Sequence, residues 1–237
     1  MSIALSPRAR LCAALPLLVL TAPTVRAEPD ALHYLTPTQV APDHILAAPP
    51  AAGSPEERAE LAEVRSIGQS ATPERIAQAR NDGEHEDPGV FADAAGRDLA
   101  RLPATARLLG IVAEEAEGAA EIAKAHFVRA RPAAIDPTLA RCTTPKAKPS
   151  KARSYPSGHS TYAWSAAWTL AALIPGRAPQ ILSRAADFGF SREICGVHFP
   201  SDIEAGHVLG VIVASALLAD PRLAPDVAAA RAELSGN

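Results

Sequence analysis

The sequence predicts an all-α protein, folded as a compact single-domain helical bundle. Most of the chain after residue 53 consists of long segments whose apolar residues recur with the spacing of an amphipathic helix. Proline and glycine separate these segments at short connections. No stretch alternates between apolar and polar residues for long enough to predict a strand.

Residues 1–27 have the layout of a secretory signal peptide and are excluded from the predicted fold. Arg8 and Arg10 precede the apolar run 11–20, and residues 25–27 supply small side chains at the cleavage positions. The run is too short to span a membrane, and an uncleaved membrane anchor is the alternative. The mature protein is therefore predicted to be periplasmic or secreted.

The mature chain is predicted to be an extended N-terminal arm over 28–53, followed by one helical domain over 54–237. The arm is rich in proline and lacks helical periodicity. Ser54 and Thr72 each precede a proline and a glutamate, so each is a predicted N-cap at the start of a helix.

A long helix is predicted over 103–128, with Lys124 and Arg131 near its C-terminal end and Pro132 terminating it. Their spacing is close to two helical turns, so both cations are expected on one helical face. The same helix carries carboxylates that are more typical of a solvated face than of a metal site. They are Glu114, Glu115, Glu117 and Glu121.

Three further helices are predicted over 160–174, 178–188 and 201–219. The last is apolar nearly all round, which indicates a central core helix. The final segment, 221–237, predicts a short surface helix. The longest apolar run after the signal peptide, 208–219, is too short to cross a bilayer, so no integral membrane span is expected in the mature protein.

The charge of the chain argues against a nucleic-acid partner. The formal net charge is −3 and the isoelectric point is near 6.2, without the basic face that such a partner requires. Affinity for an anion must come from a few local cations. The loop 133–153 either steers anionic substrates or is merely a soluble loop. Its cations are Lys146, Lys148, Lys151 and Arg153.

An oxyanion site is predicted at Ser157, Gly158 and His159. They supply a hydroxyl, an unobstructed main-chain N–H and an imidazole at consecutive positions. A tight turn that leads into a helix at Ser160 directs free N–H groups toward a negative ligand. A simple helix-capping turn is the alternative for this stretch taken alone.

Two other stretches complete a pattern of cations and histidines. In chain order the sequence carries K-x6-R-P, P-S-G-H and S-R-x5-H-x3-D. The positions outside the turn are Lys124, Arg131, Pro132, Ser191, Arg192, His198 and Asp202. This order resembles the signature of the acid phosphatase and vanadium haloperoxidase superfamily, which also contains the type 2 phosphatidic acid phosphatases. The segment 189–202 resembles the bacterial class A non-specific acid phosphatases in particular.

The resemblance implies a helical bundle of the acid phosphatase and vanadium haloperoxidase type. It also implies metal-independent hydrolysis of small phosphomonoesters, with a broad substrate range, no cofactor and inorganic phosphate as the product. Phosphoryl transfer to alcohols as a side activity and a homodimeric assembly are further expectations from these relatives.

The residue types suit this chemistry. Fixed positive charges and N–H or O–H donors neutralise phosphoryl oxygens. The expected phosphate-binding residues are Lys124, Arg131, Ser157, Gly158 and Arg192. His198 is the expected nucleophile, because Asp202 can hold one ring nitrogen and leave the other with its lone pair facing phosphorus.

The resemblance implies the same assignment, through a covalent phosphohistidine intermediate. His159 is then the general acid that protonates the leaving oxygen and later the base that activates water. Because His159 must be protonated while His198 is not, an acidic working pH is expected.

Cys142 and Cys195 are predicted to form a disulfide. Cys12 leaves with the signal peptide, and the remaining pair would be in an oxidising compartment. Two buried free thiols are the alternative.

Other functions fit part of the pattern. A vanadium-dependent haloperoxidase would bind vanadate in the same place, but family haloperoxidases have much larger scaffolds. Lipid phosphatase relatives span the membrane several times, and a non-catalytic phosphate-binding protein would not need the pair of His198 and Asp202. A metal site of His198, Asp202 and His207 would place a metal ion beside three cations that repel it.

Near the site, Ser160-Thr161 and Phe199-Pro200 depart from the pattern of the relatives. Pro200 can tilt Asp202 and weaken its hold on His198, and Glu193 beside Arg192 can compete with phosphate for the guanidinium. The loops 81–96 and 133–153 are expected to set the preference for the leaving group.

Overall fold

The computed structural model describes residues 32–139, 142 and 152–236. The predicted signal peptide and Lys146, Lys148 and Lys151 lie outside these residues. Within them the regular structure is helical, apart from a single parallel bridge between Arg129 and Arg153. The prediction of an all-α protein is confirmed.

Ten α-helices account for most of the described chain. They are α1 Pro42–Ile45, α2 Pro55–Ser70, α3 Pro73–Glu84, α4 Ala92–Ala95, α5 Pro103–His126, α6 Pro132–Ile135, α7 Gly158–Leu173, α8 Ala178–Ile194, α9 Pro200–Leu218 and α10 Ala224–Ser235. Short 3-10 turns lie at Pro88–Phe91, Leu99–Arg101, Pro175–Arg177 and Pro221–Leu223. The two predicted N-caps are confirmed, since the Ser54 and Thr72 hydroxyls accept from the N–H groups of Glu57 and Arg75 at 3.1 and 3.2 Å.

Helices α5, α7 and α9 form the centre of the bundle. One apolar cluster joins α5, α7, α8 and α10 and includes Leu108, Leu170, Phe188 and Leu234. A second cluster joins α5 and α9 to the N-terminal segment through Val112, Leu209 and Leu35. The predicted site residues of α5, α7 and α9 are therefore carried by the elements with the most buried surroundings.

Helices α7 and α9 approach each other closely because glycine lies at their contact. A Cβ atom on Gly206 would lie 2.7 Å from the Ser157 carbonyl oxygen, and one on Gly210 would lie 2.5 Å from the Thr161 carbonyl oxygen. Both distances are too short for a side chain. The main-chain N–H of Ser157 also donates to the carbonyl oxygen of Asp202 at 2.9 Å. This packing fixes the predicted oxyanion turn against the start of α9.

Glu115 holds the N-terminal segment onto α5, which contradicts its expected place on a solvated face. Its buried carboxylate accepts from the main-chain N–H groups of His33, Tyr34 and Leu35 at 2.5, 2.9 and 3.0 Å. A carboxylate can remain buried when several N–H donors satisfy it. The segment also buries Leu35 and Val40 in the second apolar cluster.

The predicted disulfide between Cys142 and Cys195 is present, with the two Cα atoms 4.8 Å apart. It lies in a small apolar cluster with Ala79 and Ile194. The Arg80 guanidinium donates to the Cys142 carbonyl oxygen at 2.7 Å, which links the bridge to α3.

Helix α9 has the length and apolar composition of a membrane-spanning helix, and no other helix in the described ranges has both. The apolar run 208–219 covers only the C-terminal half of this helix, so the length of that run does not exclude a membrane span. A core helix of a globular protein passes the same test, and α9 packs against α7 and α5.

Two predicted helix ends are wrong. Helix α5 ends at His126 instead of near Pro132, and Arg131 has extended backbone, with φ −76° and ψ 153°. The residue before a proline avoids the helical region, and Pro132 starts α6. Arg131 therefore reaches the site from a loop and does not share a helical face with Lys124. Helix α8 continues past the predicted end at residue 188 to Ile194. Gly189 lies inside it, where a Cβ atom would lie 2.9 Å from the Ile203 side chain on α9.

Replacement of Gly210 by alanine is expected to lower the free energy of unfolding by about 1–3 kcal/mol, the usual effect of overpacking. The added methyl group would overlap the main chain of α7. Gly110→Ala is the matched control, because that helical glycine has open space around its Cβ position. Urea denaturation should show the control unchanged or stabilised by about 0.5–1 kcal/mol. Equal effects of the two substitutions would contradict the close packing of α7 and α9.

Candidate active site

Five predicted site residues line one cavity of about 330 Å³. They are Lys124, Arg131, Gly158, His159 and His198. The other predicted site residues, Ser157, Arg192 and Asp202, are buried beside it. The three sequence stretches that predicted the site therefore converge in space.

Ser157 and Gly158 form the predicted turn at the start of α7. Ser157 is the N-cap, and its hydroxyl accepts from the Ser160 N–H at 3.3 Å. The first amides of the helix have no intrahelical partner and carry the positive end of the helix dipole. A Cβ atom on Gly158 would lie 3.0 Å from the Lys124 ammonium, so glycine allows this cation to approach the turn.

Lys124, Arg131 and Arg192 form a cation cluster in which, within the described part of the chain, only Lys124 has a carboxylate partner, Glu121 at 3.2 Å. Burial and the charge of Arg131 lower the pKa of Lys124, and the same two causes lower the pKa of Arg192 to about 10. Burial also lowers the pKa of Arg131. Two N–H groups of Arg192, at Nε and Nη1, are buried without a hydrogen-bond partner in the described part of the chain. A bound anion would offset the positive charge of the cluster and accept hydrogen bonds from both N–H groups of Arg192.

The position of Arg192 depends on contacts between α8 and α3. Ser191, its neighbour, donates to the buried Asp82 carboxylate at 2.6 Å. A Cβ atom on Gly83 would lie 2.3 Å from Arg192 Nη1, so a larger residue there would displace the guanidinium. Glu193 does not pair with Arg192: burial and nearby carboxylates raise the pKa of Glu193 to about 7. The competition for Arg192 that the sequence suggested is absent.

His198 and Asp202 form the predicted pair. His198 Nδ1 lies 3.3 Å from Asp202 Oδ2, and both side chains are buried. Burial and the charge of Arg131 lower the pKa of His198 to about 3, so the ring is neutral at moderately acidic pH. A neutral ring that donates from Nδ1 to Asp202 keeps a lone pair on Nε2.

Pro200 supports this pair and does not tilt it away. It occupies the first position of α9, and the Asp202 carboxylate accepts from the main-chain N–H of Phe199 at 2.9 Å. Proline is favoured at this position because its missing N–H would have no helical partner.

Arg129, Ser154 and Glu60 complete the surroundings of Asp202, and sequence reasoning missed all three. Arg129 Nη1 and Ser154 Oγ each donate to Asp202 at 2.6 Å. Arg129 is only 3% exposed, pairs with Glu60 at 2.6 Å and stacks on the Phe199 ring. Arg129 lies two positions before Arg131, and no local pattern in the sequence distinguishes it as the residue that contacts Asp202.

His159 has an unpredicted acidic neighbour. Its Nδ1 lies 3.1 Å from Glu86 Oε1, in the segment 81–89 that the sequence marks only as a connection. Burial and the charge of Arg192 hold the pKa of His159 well below its usual value. The two groups therefore form an ion pair only when a proton is added to His159.

His207 does not join His198 and Asp202. It is partly exposed, pairs with Glu204 at 3.3 Å and stacks on Trp164. No group of three or more metal-ligating side chains is present in the described ranges.

Known proteins resemble this chain in sequence and in fold. Residues 104–224 match the model of the PAP2 superfamily. An acid phosphatase of Zymomonas mobilis is 34% identical over 220 residues, which cover 90% of this chain and 82% of that protein. A non-specific acid phosphatase of Providencia stuartii is 30% identical over 218 residues, with 89% and 88% covered.

A solved structure shares the fold. It is a transmembrane PAP2 type phosphatidylglycerolphosphate phosphatase from Bacillus subtilis, with a TM-score of 0.52 and 18% identity over 75% of this chain and 88% of that one. The family match and the two long sequence alignments confirm the resemblance read from the signature stretches. The chain belongs to the PAP2 superfamily, among its bacterial acid phosphatases.

Proposed function

We propose that the protein is a metal-independent acid phosphatase that hydrolyses small phosphomonoesters through a phosphohistidine intermediate. The observation that carries this proposal is the buried Arg192 guanidinium beside a neutral His198, with two N–H groups that have no partner among the described residues. Such a site attracts a phosphate dianion and holds a nucleophile close to it. The same positive charges oppose the binding of a metal ion.

In the first step the cation cluster, the Ser157 hydroxyl and the first amides of α7 bind the phosphoryl oxygens. The lone pair of His198 Nε2 attacks phosphorus, and the bond from phosphorus to the leaving oxygen breaks. His159 donates its proton to that oxygen, so an alcohol departs. The positive charge on the phosphorylated ring is stabilised by Asp202, which Arg129 and Ser154 hold in place.

In the second step a water molecule attacks phosphorus from the side that the alcohol has left. His159, now neutral, accepts a proton from this water, and the bond from phosphorus to Nε2 breaks. Inorganic phosphate is released and the His198 lone pair is restored. An alcohol in place of water gives phosphoryl transfer, the proposed side activity.

We propose that substrate binding raises the pKa of His159, which is low in the empty site. The cation cluster and burial keep its pKa low. A phosphate dianion next to the ring offsets the positive charges and favours protonation. Glu86, 3.1 Å from Nδ1, adds a second negative charge on the other side of the ring.

A periplasmic or secreted location and a broad substrate range are parts of the proposal. The disulfide between Cys142 and Cys195 supports an oxidising compartment. The open cavity of about 330 Å³ leaves room beside the phosphate for leaving groups of different shapes. A homodimer is proposed from the resemblance to class A acid phosphatases alone.

His198→Ala is expected to lower kcat for p-nitrophenyl phosphate by at least about a thousandfold, because the nucleophile is lost. The assay uses acidic pH and excess chelator, and the wild-type rate should resist the chelator. His207→Ala is the matched control, a histidine outside the cavity that should keep full activity. Turnover that survives His198→Ala, or that the chelator abolishes, would contradict the mechanism.

The pH dependence of kcat/KM is expected to be bell-shaped with its maximum at acidic pH. As pH falls toward about 3, His198 gains a proton and loses its lone pair, so the rate decreases. As pH rises above the pKa of His159, which lies well below 6.5 in the empty site, the general acid loses its proton. A maximum above neutral pH would count against these roles.

Glu86→Gln tests the acidic neighbour in the same pH measurement. The amide keeps an acceptor oxygen but removes the negative charge, so the descending alkaline side should move to lower pH by about one unit. Glu84→Gln, at an exposed position in the same segment, should leave the profile unchanged. Identical profiles for wild type and Glu86→Gln would remove Glu86 from the mechanism.

A further inference from the structure

We propose that the outer part of the active-site cavity is a subsite that favours leaving groups carrying an ammonium group. The inference rests on the proposed phosphatase function, since it assigns the second half of the substrate. Its basis is the arrangement of charge along α5, together with one buried hydroxyl on α7.

Helix α5 presents a single stripe of charged residues to the cavity. Glu114, Glu117, Glu121 and Lys124 all line it, at successive spacings of three or four residues. With a rise of about 1.5 Å per residue, Glu117 and Glu114 lie roughly 10 and 15 Å along the helix from Lys124. The cavity therefore changes from positive at the phosphate end to negative away from it.

The outer carboxylates lack internal counter-charges. Glu121 is neutralised by Lys124 at 3.2 Å and by Arg153. Glu114 and Glu117, named here the acidic wall, have no ion-pair partner in the part of the chain that the structure describes. Glu86 and Glu117 line the same cavity, and the charge of Glu117 contributes to raising the pKa of Glu86, after the larger effect of burial.

Tyr162 supplies the second, independent observation. This α7 residue lines the same cavity and is only 8% exposed, yet its hydroxyl has no hydrogen-bond partner among the described residues. Burial and the charges of Asp87 and Glu86 raise its pKa, so the hydroxyl is neutral. An unpaired buried hydroxyl is unfavourable until a ligand pairs with it.

An ammonium group on the leaving alcohol fits both observations. It provides three N–H donors and one positive charge, whereas the acidic wall and the Tyr162 oxygen provide acceptors. A leaving group with a further carboxylate or phosphate would be repelled by the same wall. The chemical class that matches both ends of the cavity is therefore the phosphomonoester of an amino alcohol.

The test compares ω-aminoalkyl phosphates with two to six methylene groups against alkyl phosphates of the same chain length. In the wild type, kcat/KM should favour the amino member of at least one pair by about three- to fivefold, as expected for interaction with exposed carboxylates. In the double variant Glu114→Gln, Glu117→Gln this preference should fall to less than about twofold. Tyr162→Phe should reduce it in the same direction.

Glu204→Gln is the control, because this exposed α9 carboxylate lies outside the cavity, and it should retain the wild-type preference. A wild-type ratio near one at every chain length would overturn the subsite, as would a ratio that the double variant does not change.

Binding of the corresponding phosphonates, which are not hydrolysed, separates the subsite from the proposed function. Calorimetry should give the same ratio of dissociation constants for the amino and alkyl members. If no phosphomonoester is hydrolysed, the proposed function fails, and the phosphonate ratio still decides whether the subsite exists.

Discussion

Four donors converge on the buried carboxylate of Asp202: the imidazole of His198, the main-chain N–H of Phe199, Ser154 and Arg129. Its own carbonyl oxygen accepts from the Ser157 N–H, so one residue connects the proposed nucleophile to the predicted oxyanion turn. A buried carboxylate is tolerated only when its acceptor capacity is satisfied. Loss of a donor would leave part of the buried carboxylate unsatisfied and weaken the support it gives to His198.

The second constraint is the distribution of charge along the cavity. Burial and mutual repulsion within the cation cluster lower the pKa values of Lys124, Arg192 and both histidines. This repulsion raises the free energy of the empty site, and a bound phosphate dianion would offset it. The acidic wall gives the outer cavity the opposite sign, and the proposed substrate orientation and leaving-group preference rest on this change of charge.

The helix caps and the pair of His198 and Asp202 could be predicted from local patterns in the sequence. The caps at Ser54 and Thr72 depend on neighbouring residues alone, and the spacing of His198 and Asp202 brings them together across the start of one helix. The missed features are long-range. Arg129 reaches Asp202 only because α5 ends at His126, and Glu86 reaches His159 through the connection that follows α3. Tertiary contacts decide such pairings, and a single sequence does not encode them in any local pattern.

Covalent attack by His198 is tested most directly by trapping the intermediate. Enzyme mixed with radiolabelled phosphomonoester in excess chelator is quenched in alkali within one turnover, because phosphohistidine survives alkali and is lost in acid. Peptide mapping should place the label on His198, and a chase with unlabelled substrate should remove it at the turnover rate. Label on another residue, or turnover without any labelled enzyme, would contradict a phosphohistidine mechanism.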